Sequence, residues 1–160
     1  MPGDVTLVEP GRDAPITLEA GANGEVPGYG DLVGIVGESS RGTHVSFPPA
    51  AGTAVGHLVG EPVDIPEDAT FAEGDIVGEG IIKLRHAIDW LPYDEAGGWD
   101  QSATDPTTTA PTAGDLAVGT TDGGVVQYAD ATHESPLGPV WTTLARAEGT
   151  ASKLAVVRVR

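Results

Sequence analysis

The sequence predicts an all-β fold, a single domain of short strands joined by turns and long loops, and three observations carry that expectation. Glycine (23) and proline (13) together approach a quarter of the 160 residues, a composition that suits many turns better than helices. Valine, isoleucine and threonine recur in short alternating runs, while good helix-forming runs are scarce. A short phrase also occurs three times, as Gly30-Asp31-Leu32-Val33-Gly34, Gly74-Asp75-Ile76-Val77-Gly78 and Gly114-Asp115-Leu116-Ala117-Val118-Gly119. Each copy reads as a turn feeding a strand. Glycine supplies unusual backbone angles, aspartate is expected to bond the backbone just beyond it, and the apolar run suits a half-buried pleated surface.

Taken in order, residues 1–29 hold two alternating runs, Val5 to Val8 and Ile16 to Glu19, followed by Asn23-Gly24. Asn-Gly between apolar segments is a hairpin signal, so this stretch is expected to be an N-terminal arm or hairpin ahead of a main domain at 30–160. The first repeated phrase runs to Val36 and ends in the polar turn Gly37 to Gly42. Thr43 to Phe47 then alternates until Pro48-Pro49 stops it, and Gly52 to Val63 reads as a further strand pair. After the second phrase, Ile81 to Trp90 fits both periodicities, and its β-branched residues favour a strand.

Residues 93–113 are rich in Gly, Asp, Thr and Pro and read as a long loop, of a length usually tied to function or mobility. Beyond it, Asp115 to Thr120 turns at Asp122-Gly123-Gly124 into Val125 to Tyr128 as a second hairpin. Pro139 to Arg146 is a strand or short helix. Lys153 to Arg160 closes the chain as a strand with Ala155, Val157 and Val159 on one face. The phrases lie 44 and 40 residues apart, near a propeller-blade period, yet each copy spans about five residues and no blade signature accompanies it.

Charge narrows the partners. Twenty-four acidic residues face eight basic ones, for a net charge of −16, and only Lys83 and Lys153 are lysines. Such a surface repels nucleic acid and anionic membranes, so neither is expected as a partner. It also suits concentrated salt, where at about 1 M the Debye length shrinks to about 3 Å and self-repulsion is screened. The balance is uneven: residues 1–80 carry 14 acids against Arg12 and Arg41, whereas 81–160 carry ten acids against Lys83, Arg85, Arg146, Lys153, Arg158 and Arg160. A face that docks on an acidic partner would lie in the second half.

Catalytic and metal motifs fail on spacing. Without cysteine, neither a disulfide framework nor a thiolate metal site is available. Gly37-Glu38-Ser39-Ser40-Arg41-Gly42 has one residue too many for a nucleophile elbow, and Gly28 to Gly34 one too many for a dinucleotide fingerprint. His44, His57, His86 and His133 stand singly, and Asp64, Glu67, Asp68, Glu73 and Asp75 lack an EF-hand spacing. Neither an enzyme nor a cofactor is expected. No charged leader with a following apolar run begins the chain, and no apolar stretch approaches the roughly 18 residues a membrane span needs. A soluble protein is therefore expected, one that stays where it is made or leaves within an assembly. Trp90, Tyr93 and Trp99 gather three of the eight aromatic residues beside the long loop. Tryptophan and tyrosine are enriched at interface centres, and equally such residues cap a domain's own core. With Lys83, Arg85, Arg158 and Arg160 they form the candidate interface set.

Thr112-Ala113-Gly114-Asp115-Leu116-Ala117-Val118, the pair of strands around Gly123-Gly124-Val125-Val126, Val140 to Ala147, and the ending Leu154-Ala155-Val156-Val157-Arg158-Val159-Arg160 together resemble head decoration, or capsid cement, proteins of tailed viruses. Gly30 to Val36 and Ala72 to Val77 are similar to that family's first half. The resemblance implies a β-barrel or β-sandwich that trimerises on the outside of a capsid and clamps neighbouring major capsid protein subunits, with no catalytic residues. Beside the acidic surface it implies a virion protein of a virus infecting a haloarchaeon, assembled in the host cytoplasm. The alternatives are a vertex turret or tail component, or a halophilic carbohydrate- or cation-binding β-module.

Overall fold

The computed structural model describes residues 11–62, 65–66, 68–92, 111–119, 125–128, 135–143 and 153–159. The protein is all-β, as its composition predicts, and divides into two compact units, one of Glu9–His86 and one that takes in Ala87–Arg160.

In the first unit, β1 (Asp13–Glu19), β2 (Leu32–Ser39), β3 (Gly42–Ser46), β4 (Ala54–Leu58) and β5 (Ile76–Leu84) form a closed barrel in the order β1-β3-β2-β4-β5. β1 closes it by pairing antiparallel with β5, Asp13 opposite Lys83 through Leu18 opposite Gly78, and parallel with β3 at Thr17 and His44. The period of two assigns the faces. Ala14, Ile16 and Leu18 of β1 and Ile82 and Leu84 of β5 are buried with Val33, Ile35, Val45, Val55 and Leu58, each large side chain contributing about 1.5–3 kcal/mol. A Cβ on Gly80 would meet Leu18, Leu58 and Ile16 at 3.2–3.5 Å, so their side chains converge over that glycine.

The second unit is a five-stranded antiparallel sheet of β6 (Ala87–Pro92), β7 (Leu116–Gly119), β8 (Val125–Gln127), β9 (Gly138–Thr142) and β10 (Lys153–Arg158), ordered β6-β10-β9-β7-β8. Ala117, Val125, Val140, Leu154 and Val156 make its buried cluster, with Leu91 and Leu137 packed against it.

The repeated Gly-Asp phrase has one geometry in all three copies. Asp31, Asp75 and Asp115 donate their amides to the carbonyls of Gly28, Ala72 and Thr112 at 3.0–3.1 Å. Gly30, Gly74 and Gly114 carry φ of 84°, 87° and 97°, and Asn23 is the one non-glycine with positive φ among the described residues, so each is a type II turn with glycine at its third position. Each Gly-Asp pair then faces a single residue of a neighbouring strand. Gly30 donates to the Leu58 carbonyl while Leu58 donates to that of Asp31, and Ala20 and Val140 do the same for the other two copies. Two residues opposite one, glycine first, is a G1 bulge. The aspartate carboxylates bond backwards, to the amides of Gly28, Ala72 and Thr112 at 2.8–3.0 Å, and not onward as the sequence suggested, because the turn leaves that amide facing them.

Other expectations shift in detail. Asn23-Gly24 takes positive φ within a short 3-10 turn but closes no hairpin, because β1 finds its partners in β5 and β3. Of the expected arm or hairpin at 1–29, residues 1–10 lie outside the described residues and Asp13–Glu19 is a barrel strand. Gly52 to Val63 supplies one strand, β4, which pairs with β2 and β5. Ile81 to Trp90 is strand as preferred, interrupted at Arg85-His86 between β5 and β6. The second hairpin is present as β7 and β8, with Gly119 opposite Val125. In β10 burial runs through Leu154, Ala155, Val156 and Val157 without alternation, as in a strand covered on both faces. Of the loop expected at 93–113, only 111–113 fall among the described residues.

Candidate interaction surface

The outward positions of β1, β5 and β4 lie in rows fixed by strand register. Pro15 stands opposite Ile81, and the amide of Val59, the residue after β4, donates to the Ile81 carbonyl at 3.0 Å, so Pro15, Ile81 and Val59 form one apolar row from β1 across β5 to the end of β4. Ile81 is 50% and Val59 40% exposed, well outside the range of core residues. On one side the next row is Asp13, Lys83 and His57, with Lys83 Nζ 3.5 Å from Asp13 Oδ1. On the other side Arg41 from the β2–β3 turn reaches Glu79 Oε1 at 3.5 Å. All four paired side chains are 44–71% exposed, so each pair contributes at most about 1 kcal/mol and serves to fix charge positions.

The apolar row opens into a groove of about 600 Å³, lined by Pro15, Ile16, Leu58, Val59, Pro62 and Ile81 and rimmed by Arg41, Glu61 and Glu79. An apolar centre inside a charged rim is the anatomy of a protein interface. Among the described residues that line it, none is aromatic.

The residues singled out from sequence are distributed as follows. Lys83 belongs to the row beside Ile81, and Arg85 is exposed just beyond the end of β5. Trp90, opposite Ala155 in β6, is buried with 7% exposure. Arg158 is half exposed and holds Asp89 at 3.0 Å. Tyr93, Trp99 and Arg160 lie outside the described residues. Sequence reasoning missed Pro15, Val59 and Ile81, since nothing local shows that three apolar residues from distant segments share a row. The exposed face of a strand is legible only once its register is known.

A second arrangement escaped the sequence. His44, buried in β3, has Nδ1 3.0 Å from Glu19 Oε1 and Nε2 2.7 Å from Ser39 Oγ. The barrel's parallel β1–β3 pairing brings Glu19 to His44 across 25 residues, while the tight β2–β3 turn supplies Ser39. Among the described residues no three His, Asp or Glu side chains gather to hold a metal ion, and no helix is long and apolar enough to cross a membrane. No protein-family model, curated protein or solved structure matches this chain.

Proposed function

We propose that this chain is a structural virion protein that binds the outside of a capsid lattice and stabilises contacts between major capsid protein subunits. The observation that carries the reading is the Pro15-Ile81-Val59 row, an exposed apolar strip framed by Arg41-Glu79 and Asp13-Lys83 on a closed barrel. It joins the likeness of the Gly-Asp strands and the Val-Arg-Val-Arg ending to capsid cement proteins. The net charge of −16 favours a basic lattice surface as the partner. Repetition of the contact over a shell multiplies weak single-site binding into avidity. A homotrimer fits this role, and the acidic surface fits a haloarchaeal host.

Mass analysis and imaging of the native particle that contains this chain test the reading directly. Periodic density of this mass on the capsid exterior is the expected result. Its location in the tail, or a free monomer by light scattering in molar KCl, overturns it. A second reading rests on the groove volume of about 600 Å³, which lies in the range of small-molecule sites. On that reading the chain is a binding module for a compact apolar ligand. Ile81→Lys would then abolish ligand uptake in the isolated protein, with no particle needed.

A further inference from the structure

We propose that Ser39 is an activated nucleophile, served by His44 as general base and oriented by Glu19, able to accept an acyl or phosphonyl group from small activated electrophiles. The inference is independent of the capsid reading. A carboxylate only accepts, so the 3.0 Å contact to Glu19 requires the proton of a neutral His44 on Nδ1. Nε2 is then a lone-pair acceptor, and the Ser39 hydroxyl at 2.7 Å donates to it. That is the order of roles by which a serine is made nucleophilic: hydroxyl, imidazole, carboxylate.

The surroundings hold this order in place. His44 side-chain exposure is 7% and that of Glu19 21%, so the imidazole has little room to turn away, while Ser39 at the turn retains access to solvent. The Arg41 amide donates to Ser39 Oγ at 3.1 Å, which stabilises negative charge building there as the proton leaves. In the reaction with an ester, the Oγ–carbon bond forms, the hydroxyl proton passes to His44 Nε2, and the leaving alcohol takes it back. Water then releases the acid by the same steps in reverse, regenerating Ser39. With a fluorophosphonate the Oγ–P bond forms as P–F breaks, and fluoride leaves.

The same bonds tie the β2–β3 turn to the end of β1, so the test reads reactivity and not stability alone. Full-length protein is treated with an alkyl fluorophosphonate, and the peptide spanning Ser39-Ser40 is followed by mass spectrometry with time. Exposed Ser40 is the internal reference. Ser39 is expected to label about 100-fold faster than Ser40, and His44→Gln to remove that advantage, the scale a positioned base supplies. A further readout needs no variant: the advantage of Ser39 over Ser40 should vanish when the same protein is labelled unfolded in urea, because the Ser39-His44-Glu19 bonds exist only in the fold. Equal rates at the two serines in the folded protein, or a Ser39 advantage that survives unfolding, overturn the proposal.

Discussion

The carboxylate of Asp31 accepts the Gly28 amide at 2.8 Å while the Asp31 amide donates to the Gly28 carbonyl at 3.0 Å. Two bonds of opposite sense thus close the same four residues. Asp75 repeats the relation with Ala72, and Asp115 with Thr112, where the threonine hydroxyl adds a bond of 2.9 Å to Asp115 Oδ1. Replacing any one aspartate by alanine should cost about 1 kcal/mol. Replacement by asparagine, which keeps an acceptor oxygen, should cost less. Urea unfolding of the three pairs of variants checks both.

Two glycines separate conformational cost from steric cost. A Cβ at Gly30 meets nothing within 4 Å, so Gly30→Ala is expected to lose only about 1–2 kcal/mol, through its φ of 84°. A Cβ at Gly56 would collide with the Lys83 carbonyl where β4 lies on β5. Backbone cannot step aside as a side chain does, so Gly56→Ala should cost about 3 kcal/mol or more. Melting curves that rank the two variants the other way would contradict this geometry.

Ile81 and Leu18 should respond oppositely in binding and stability. Leu18 is fully buried inside the barrel, and Leu18→Ala is expected to lose about 2–5 kcal/mol. Ile81→Lys alters an exposed side chain and should change stability by no more than about 0.5 kcal/mol, and under the proposed function it should abolish attachment to the capsid surface. Denaturation and co-sedimentation with particles measure the two effects separately.

Stability should rise with salt. With a net charge of −16 the folded chain repels itself, and molar KCl shortens the Debye length to about 3 Å. The side chains of the Arg41-Glu79 and Lys83-Asp13 ion pairs are 44–71% exposed, so screening these pairs subtracts little. Each 1 kcal/mol gained should raise Tm by about 2–4 °C at this chain length. Melts in dilute buffer and in molar KCl that coincide would contradict the expectation.

What the sequence made legible was local. The β7–β8 hairpin, the terminal strand at Lys153–Arg158 and the three Gly-Asp turns are written in neighbouring residues whose conformational demands are strong. Asn23-Gly24 shows the limit: its positive φ values were foreseeable, but a turn makes a hairpin only if the flanking strands prefer each other. Here β1 gains more by pairing with β5, from Asp13 opposite Lys83 onward, and the intervening chain leaves no local trace of that choice. The Pro15-Ile81-Val59 row and the Ser39-His44-Glu19 chain follow from the same closure, which is why motif spacing found neither.

Closure of β1 onto β5 also bears on how barrels meet one another. A sheet that ends in unpaired amides can recruit a copy of itself, and that copy another, into a growing fibre. Among the described residues, the five strands of the barrel close on one another and leave no terminal strand as such a template. Contacts between barrels then run through side chains, such as the Pro15-Ile81-Val59 row, and not through addition of strands to a sheet edge.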